Sequence, residues 1–421
     1  MMMKYIEKIL TARVYDVAVE TPLENAQNLS RRHNNEVLLK REDLQRVFSF
    51  KLRGAYNCIY QLSRKKQVKG VIAASAGNHA QGVALSASRL GIKATIVMPK
   101  TTPNIKVNAV KSYGATVVLK GDTYDDACAH ANELAIKRKL DFIHPYDDPE
   151  VIAGQGTIGM EIYRQHADPV DAVFIPVGGG GLISGVSLYS KYLRPETKII
   201  GVEPQDAACM ALAFEKHRRA SLEHVGIFAD GVAVRQVGKE TWRIAQRYVD
   251  EVITVSTDEI CAAIKDIFDD TRSIMEPAGA LAVAGLKKYV ERDGVKDKTM
   301  VAICSGANMN FDRLRHVAER AEIGENREAL FAVTIPEKPG SFRRFCKIIG
   351  KRGITEFNYR YSDRVNAQVF TGVQLRNGQV EKQEIIDRLR KNDYAVTDMT
   401  DNEMAKMHIR HLVGGHAAMQ H

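Results

Sequence analysis

Residues 70–306 repeat one pattern, and this repetition limits the fold more than any other feature of the sequence. A short run rich in β-branched residues ends in glycine or proline, and a segment with helical hydrophobic spacing follows it. Such alternation predicts an α/β fold with mostly parallel, helix-covered sheets. The predicted strands are 71–75, 94–98, 116–119, 172–177, 198–202, 252–255 and 300–304, and the predicted helices include 80–90, 105–113, 125–137, 182–192 and 258–271.

The pattern changes after residue 312. Residues 313–327 are densely charged and indicate a connecting helix or linker. Beyond them the order of elements is βαββαβ, which is typical of a ferredoxin-like domain. Its predicted strands are 330–335, 354–361, 367–375 and 394–397, and its predicted helices are 340–350, with Phe342, Phe345 and Ile349 on one face, and 381–390, with Ile385 and Leu389 inward.

These patterns predict two domains in the chain of 421 residues. The predicted division is a larger domain over 1–320, a charged linker over 321–329, a small domain over 330–405 and a tail over 406–421.

Composition narrows the class of protein. The formal net charge is +9, but basic and acidic residues alternate along the chain, so the sequence favours a solvated surface over a nucleic-acid-binding face. The six cysteines are widely spaced and form no CxxC pair, which favours reduced thiols over disulfides or a zinc site. No apolar run is long enough for a membrane span or signal peptide. We therefore expect a soluble, cytoplasmic protein that binds neither nucleic acid nor membrane.

Four consecutive glycines follow the predicted strand at 172–177 and precede a predicted helix. They are Gly178, Gly179, Gly180 and Gly181, and Leu182 comes next. Glycine lets the backbone bring its N–H groups close to an anion, and the helix N-terminus adds partial positive charge. A phosphate cradle is the functional interpretation, and a plain strand-to-helix turn is the structural one.

A second glycine motif lies at residues 154–159, where the sequence satisfies GxGxxG. It follows a turn-like segment and not a strand, and no acidic ribose partner ends a next strand about 20 residues on. We reject a dinucleotide site here and expect these glycines to form a cleft wall and a helix entry.

Three further segments end strands or begin helices. Ser75, Ala76, Gly77, Asn78 and His79 offer small residues at a helix N-terminus, which can seat a carboxylate or can simply cap the helix. Lys51 stands beside Phe50, and a lysine in apolar surroundings suits imine formation, although a lone lysine is usually a surface residue. Ser305 follows the strand at 300–304, where ligand-binding residues gather in parallel sheets.

Together, in this order, these segments resemble the fold-type II pyridoxal-phosphate family, and within it the biosynthetic threonine dehydratases. The matching motifs are SFKLRGA around Lys51, SAGNHAQG from 75, GGGGL from 178 and SGAN from 305, followed by a regulatory domain. The resemblance implies a tryptophan-synthase-β-like catalytic domain with two parallel-sheet subdomains. It also implies that Lys51 is the Schiff-base lysine, next to Phe50, that Asn78 bonds the 3′-oxygen of pyridoxal 5′-phosphate, and that Ser305 faces the pyridine nitrogen. The residues implied to hold the phosphate are Gly178, Gly179, Gly180, Gly181 and Leu182.

The resemblance further implies the reaction, in which L-threonine loses water and ammonia to give 2-oxobutanoate. Lys51 would take the Cα proton, and residues 75–79 would hold the substrate carboxylate, with His79 more structural than catalytic. Related serine racemases carry a second serine where this chain has Ala76, which disfavours racemisation. L-serine is expected as a secondary substrate.

Ligands beyond the cofactor are also implied. Glu203 and Ala207 match the family's cation site, but Cys209 stands where some relatives have aspartate, so we expect a monovalent cation at most and no divalent metal. The second domain resembles an ACT-like regulatory domain in one copy. It implies feedback by isoleucine, with valine as an antagonist, in a homotetramer, or else a purely structural dimerisation module.

The sequence leaves two alternative functions open. One is a catabolic serine/threonine dehydratase or racemase of the same fold, against which the regulatory domain argues. The other is a non-catalytic protein that binds amino acids or nucleic acid, and it predicts no cofactor absorbance.

Overall fold

The computed structural model describes residues 1–62, 69–324, 327–361 and 365–402. The chain forms two compact units, Met1–Leu314 and Arg315–His421. The helices of the first unit are α1 (Met2–Leu10), α2 (Gln27–His33), α3 (Lys51–Gln61), α4 (Asn78–Arg89), α5 (Asn104–Ser112), α6 (Tyr124–Arg138), α7 (Pro149–Gln165), α8 (Gly181–Leu193), α9 (Cys209–Glu215), α10 (Lys239–Tyr248), α11 (Thr257–Thr271) and α12 (Pro277–Asp293). Helix α13 (Arg313–Gly324) begins at the division between the units.

The first unit contains two sheets, as the alternating pattern predicts. The strands are β1 (Leu23–Asn25), β2 (Glu36–Arg41), β3 (Val71–Ala74), β4 (Ala94–Met98), β5 (Thr116–Leu119), β6 (Asp141–Phe142), β7 (Ala172–Pro176), β8 (Lys198–Pro204), β9 (Glu251–Val255) and β10 (Thr299–Cys304). The larger sheet has the order β1-β2-β10-β7-β8-β9, and the smaller has the order β5-β4-β3-β6. All neighbours are parallel except β1 and β2. The predicted two-subdomain α/β architecture is confirmed.

The second unit is an antiparallel sheet with two helices. Its strands are β11 (Glu328–Pro336), β12 (Ile354–Tyr361), β13 (Asn366–Gln374) and β14 (Ala395–Asp398), in the order β12-β13-β11-β14, and its helices are α14 (Ser341–Ile349) and α15 (Gly378–Lys391). This is the predicted ferredoxin-like order. Phe345, Ile349, Ile385 and Leu389 are buried as predicted. Phe342 is not: it is 46% exposed and packs edge-on against Phe357 on β12.

The domain boundaries at 320 and 330 remain predictions. Residues 321–324 belong to the last turn of α13, and β11 starts at Glu328, so most of the described residues of the predicted linker lie in regular structure. Residues 362–364, between two predicted strands, and the predicted tail at 406–421 lie outside the described residues. Within the described part of the chain, no helix is long and apolar enough to cross a membrane.

Local sequence explains where several helices begin. Thr123 and Ser256 each accept the backbone N–H three residues on, while the side chains of Asp126 and Glu259 bond back, so both helices start with a capping box. Asp148 caps α7, whose first residue is Pro149. Helix α7 therefore begins five residues before Gly154, and the expectation that the 154–159 glycines mark a helix entry is wrong.

Those glycines instead allow helices to cross closely. A Cβ on Gly154 would lie 2.7 Å from the carbonyl oxygen of Arg53 and from the Cα of Gly54, both on α3. On the other side, a Cβ on Gly185 of α8 would lie 2.5 Å from the backbone nitrogen of Gly156. Helix α7 is thus packed backbone-to-backbone between α3, which begins at Lys51, and α8, which follows the glycine run.

A buried ion network also ties α3 to α7 and to β2. The guanidinium of Arg53 pairs with Glu42 at 2.7 Å and with Glu161 at 2.6 Å, and the amine of Lys40 pairs with Glu161 at 2.7 Å. All four side chains are fully buried, and two positive charges balance two negative ones. Removing one member would leave a buried charge without a partner, which typically costs about 3–5 kcal/mol. Helix α3 therefore has little freedom to shift.

The close crossing of α3 and α7 gives a stability prediction. Gly154→Ala places a methyl group against backbone atoms that cannot rotate away, so we expect the melting temperature to fall by about 5 °C. Gly77→Ala is the matched control because its Cβ meets no heavy atom within 4 Å. Differential scanning calorimetry of both cofactor-free variants checks this, and equal melting temperatures would contradict the packing role of Gly154.

Candidate active site

Backbone pairing brings two of the predicted motifs together. The segment before α3 bonds to the segment after β10: Phe50 N–H donates to the Ser305 carbonyl at 3.2 Å, and Ala307 N–H donates to the Phe48 carbonyl at 2.9 Å. Between them Ser49 forms an antiparallel bridge with Gly306. Lys51, as the first residue of α3, therefore lies beside Ser305 although 254 positions separate them in the sequence.

The amine of Lys51 lies close to a backbone carbonyl and an aromatic ring. Its Nζ donates to the Pro145 carbonyl at 3.3 Å and lies 5.2 Å from the centre of the Phe50 ring. Burial lowers the pKa of Lys51 to about 8, and the carboxylate of Glu276 opposes this shift. Helix α4 approaches because Gly82 has no side chain; a Cβ there would lie 3.1 Å from the Lys51 carbonyl carbon. The unprotonated fraction of this amine near neutral pH is therefore much larger than that of an ordinary lysine.

The glycine run has the geometry of an anion cradle. Gly180 adopts φ +94°, which favours glycine, and α8 starts at the next residue. A Cβ on Gly179 would stand 2.3 Å from the ring of Tyr146, so only glycine fits beneath that ring. Thr241 Oγ1 donates to the Gly179 carbonyl at 2.7 Å, and this hydrogen bond fixes the glycine loop. The first N–H groups of α8, including that of buried Leu182, have no intrahelical acceptor and suit a phosphate.

Residues 75–79 form the N-terminus of α4, and most of them are only partly buried. Gly77 precedes the helix without a side-chain cap, and Ser75 Oγ accepts the Gly77 N–H at 3.2 Å. His79 differs, because its Nε2 bonds the Ile143 carbonyl at 2.9 Å and burial lowers its pKa to about 3. Since a carbonyl only accepts, Nε2 carries the proton of a neutral ring. This placement agrees with a structural His79 and leaves backbone N–H groups for a carboxylate.

Asn78 is the first residue of α4 and makes two side-chain hydrogen bonds. Its Nδ2 donates to Glu276 Oε1 at 2.6 Å, and its Oδ1 accepts from Asn308 Nδ2 at 2.7 Å. Ser305 is buried, and its Oγ donates at 3.3 Å to the carbonyl of Ala278, the second residue of α12. Four separate motifs of the sequence therefore meet around Lys51.

Sequence reasoning missed Glu276 and Tyr146. Glu276 is 4% exposed and precedes α12, and a single glutamate before a proline forms no recognisable pattern. Tyr146 lies in the turn-like segment after β6, and its proximity to Gly179 depends on the fold alone.

The residues predicted for a cation make other bonds. Glu203 ends β8, and its two carboxylate oxygens accept the N–H groups of Met210 and Ala211 at 2.8 Å each. Burial raises the pKa of Glu203 to about 8. The thiol of Cys209 donates to the Gly178 carbonyl at 3.4 Å. In the part of the chain that the structure describes, no group of three or more His, Cys, Asp or Glu residues could hold a metal ion.

The lowered pKa of Lys51 gives a testable pH dependence. Only an unprotonated amine attacks the aldehyde of pyridoxal phosphate, so the rate of cofactor attachment should fall as pH drops below about 8, whereas an ordinary lysine would respond near 10.5. The growth of visible absorbance after adding pyridoxal phosphate to cofactor-free protein measures this rate. A free lysine derivative is the control, and a midpoint above pH 10 would contradict the buried setting of Lys51.

The tight fit of Gly179 under Tyr146 gives a second prediction. Gly179→Ala should push the ring or the loop aside and weaken pyridoxal phosphate binding by about tenfold, since one misplaced phosphate contact is worth roughly 1.4 kcal/mol. Titration of cofactor fluorescence measures the dissociation constant. Adding Tyr146→Ala removes the clash and should restore part of the affinity. If Gly179→Ala alone binds pyridoxal phosphate as tightly as wild type, the close contact of Gly179 with Tyr146 does not matter for the phosphate site.

Comparisons with known proteins agree with this geometry. Residues 14–306 match the family described as pyridoxal-phosphate dependent enzyme, and residues 319–409 match the C-terminal regulatory domain of threonine dehydratase. The chain is 56% identical, over 99% of its length and 82% of the relative, to a biosynthetic L-threonine dehydratase of Burkholderia multivorans. It is 50% identical to the Escherichia coli enzyme of that name, over 98% of this chain and 80% of the relative.

A solved structure, the processed form of threonine deaminase isoform 2 from Solanum lycopersicum, superposes with a TM-score of 0.75 at 54% identity. The match covers 76% of this chain and 93% of that one. The resemblance that the motifs indicated is confirmed, and the chain belongs to the biosynthetic threonine dehydratases, a family of pyridoxal-phosphate-dependent enzymes.

Proposed function

We propose that this chain removes water and ammonia from L-threonine to give 2-oxobutanoate, the first committed step of isoleucine biosynthesis. The observation that carries the proposal is the convergence of the Lys51 amine, the Asn78 amide, the Ser305 hydroxyl and the glycine cradle in one site of a chain with this family membership. The catabolic alternative is not supported by the relatives, which are biosynthetic enzymes.

The residues of the site fit pyridoxal phosphate. The cradle at 178–181 and the N-terminus of α8 accept a dianionic phosphate, and a buried amine lies near it. Bound pyridoxal phosphate supplies an aldehyde for the substrate amine and a ring that takes up the electron pair left on Cα. Phe50 lies against Lys51 and limits water around its amine.

Lys51 has two roles in this proposal. It carries the cofactor between turnovers, and once the substrate amine replaces it, its free amine takes the Cα proton. A pKa of about 8 suits a general base, because part of the amine population is neutral near pH 7 and can accept the Cα proton. The carbonyl of Pro145, at 3.3 Å, keeps the amine from turning away.

The segment 75–79 binds the substrate carboxylate through backbone N–H groups at the start of α4. Ser75 is engaged with Gly77, and the methyl group of Ala76 can neither give nor take a proton. The second face of Cα therefore faces no acid or base from this segment, which favours elimination over racemisation. The hydroxyl of Ser305 can bond the pyridine nitrogen without holding it strongly protonated, and this also favours prompt elimination.

Further features of the proposal come from the relatives and the second unit. The unit after residue 314 would bind isoleucine, with valine opposing it, and would change the activity of a homotetramer. L-serine would be a poorer substrate. A monovalent cation would bind near Glu203 and Ala207, where two N–H groups already occupy part of the Glu203 carboxylate. Six free cysteines support a reducing, cytoplasmic location.

Steady-state kinetics with threonine and serine, each with and without isoleucine, tests the function. We expect threonine to be preferred and isoleucine to slow its turnover. Lys51→Ala should lower kcat with threonine by about 1000-fold or more and abolish the visible absorbance of the cofactor, because it removes both the attachment point and the base. Lys137→Ala, an exposed lysine on α6, is the matched control. Equal rates for both substrates with no isoleucine effect would overturn the biosynthetic assignment.

A further inference from the structure

The side-chain amide of Asn308 has only one workable orientation. Its Nδ2 lies 2.7 Å from the Val47 carbonyl and 2.7 Å from Asn78 Oδ1. Because a backbone carbonyl only accepts hydrogen bonds, the nitrogen of Asn308 must face Val47. Both of its hydrogens are then used, one on Val47 and one on Asn78.

The orientation of Asn78 follows from that of Asn308. Its oxygen must face the donor on Asn308, so its nitrogen faces Glu276 Oε1 at 2.6 Å. Turning the amide over would set an oxygen against the Glu276 carboxylate and a nitrogen against the Asn308 nitrogen, and both contacts would be repulsive. The bonds to Glu276 and Asn308 occupy one hydrogen and the oxygen of Asn78, which leaves one N–H for a ligand.

Glu276 is an unusual partner because it is a deeply buried carboxyl group. Its backbone N–H donates to the Gly306 carbonyl at 3.2 Å, which fixes the residue at the start of α12. A Cβ on Gly306 would lie 2.5 Å from Glu276 Oε1, so glycine is needed for the carboxyl group to reach Asn78. Among the described residues no ion pair reaches it. Burial and Asp230 raise its pKa to about 7, while Asn78, Lys106 and Lys51 lower it.

A buried carboxyl group without a cation partner lowers the stability of the fold, so Glu276 is expected to contribute to ligand binding or catalysis. We propose that Glu276 is a positioning residue that holds the Asn78 amide in the one orientation that presents its remaining N–H to the 3′-oxygen of pyridoxal phosphate. The proposal rests on the proposed role of Asn78 toward the cofactor and does not depend on which amino acid is the substrate. Glu276 acts through Asn78 and not on the cofactor directly.

A double-mutant cycle tests whether Glu276 acts through Asn78. Pyridoxal phosphate dissociation constants are measured by fluorescence titration for wild type, Glu276→Ala, Asn78→Ala and the double variant. We expect Glu276→Ala to weaken binding about tenfold in the wild-type background, the value of one well-placed hydrogen bond, and less than about twofold in the Asn78→Ala background. Equal losses in both backgrounds would overturn the proposal.

Glu276→Gln separates orientation from charge. Glutamine keeps the length of the side chain and an oxygen that accepts from Asn78, so cofactor affinity should stay within about twofold of wild type and the visible absorbance maximum should not move. Glu276→Ala should shift that maximum because Asn78 can turn away. If glutamine loses as much affinity as alanine, the role is electrostatic and the orientation proposal fails.

Asp230→Asn is the matched control, since it removes the other carboxylate that acts on Glu276 and leaves the bonds of Asn78 intact. Its cofactor affinity should stay within about twofold, and a loss as large as that of Glu276→Ala would contradict a specific role for Glu276. Circular dichroism of each cofactor-free variant verifies folding. Where Glu276→Ala does not fold, Glu276→Met, which fills the same space without an acceptor, takes its place in the cycle.

The outcomes also separate this proposal from the proposed function. A wild type that binds pyridoxal phosphate but does not act on threonine would refute the substrate assignment alone, and the cycle would still decide the role of Glu276. A wild type that does not bind pyridoxal phosphate would overturn both.

Discussion

The catalytic unit depends on one set of backbone hydrogen bonds, those between residues 48–50 and 305–307. They join the start of α3 to the end of β10 and set the position of the Lys51 amine relative to Ser305. The same short ladder brings Gly306 under Glu276 and Asn308 beside Asn78. Peptide groups thus fix the segment of Lys51 relative to Ser305, and such bonds do not change with pH.

The residues of the site come from two subdomains. Helix α3 is held by backbone contact with α7 and by the network of Lys40, Glu42, Arg53 and Glu161, so Lys51 starts from a fixed base. Facing it, residues 75–78 are only partly buried and belong to the smaller sheet's subdomain. Asn78 in this segment is held by Glu276 and Asn308, so groups on both sides of the site are positioned by their neighbours.

The sequence predicted the parallel core and the ferredoxin-like unit, and it singled out the motifs that the fold brings together around Lys51, because hydrophobic period and glycine placement are local signals. It did not predict β2. That strand ends in Lys40 and Arg41, and two adjacent charged residues are typical of an exposed loop. In the structure Lys40 pairs with Glu161, and Arg41 pairs with Glu24 and Asp43. The sequence did not indicate Glu276 for the same reason. Its importance comes from its hydrogen bond with Asn78, which is 198 positions away in the sequence.

The strand order of the larger sheet has a consequence for the way the chain is made. Strand β2 ends at residue 41, yet its parallel neighbour β10 begins at residue 299. During synthesis residues 23–41 leave the ribosome long before β10 exists, so among the described strands β2 then has only β1 as a partner. Such distant pairing slows folding and leaves an apolar strand edge exposed. The nascent chain therefore passes through a stage at which its earliest strands are open to association with other chains or with a chaperone.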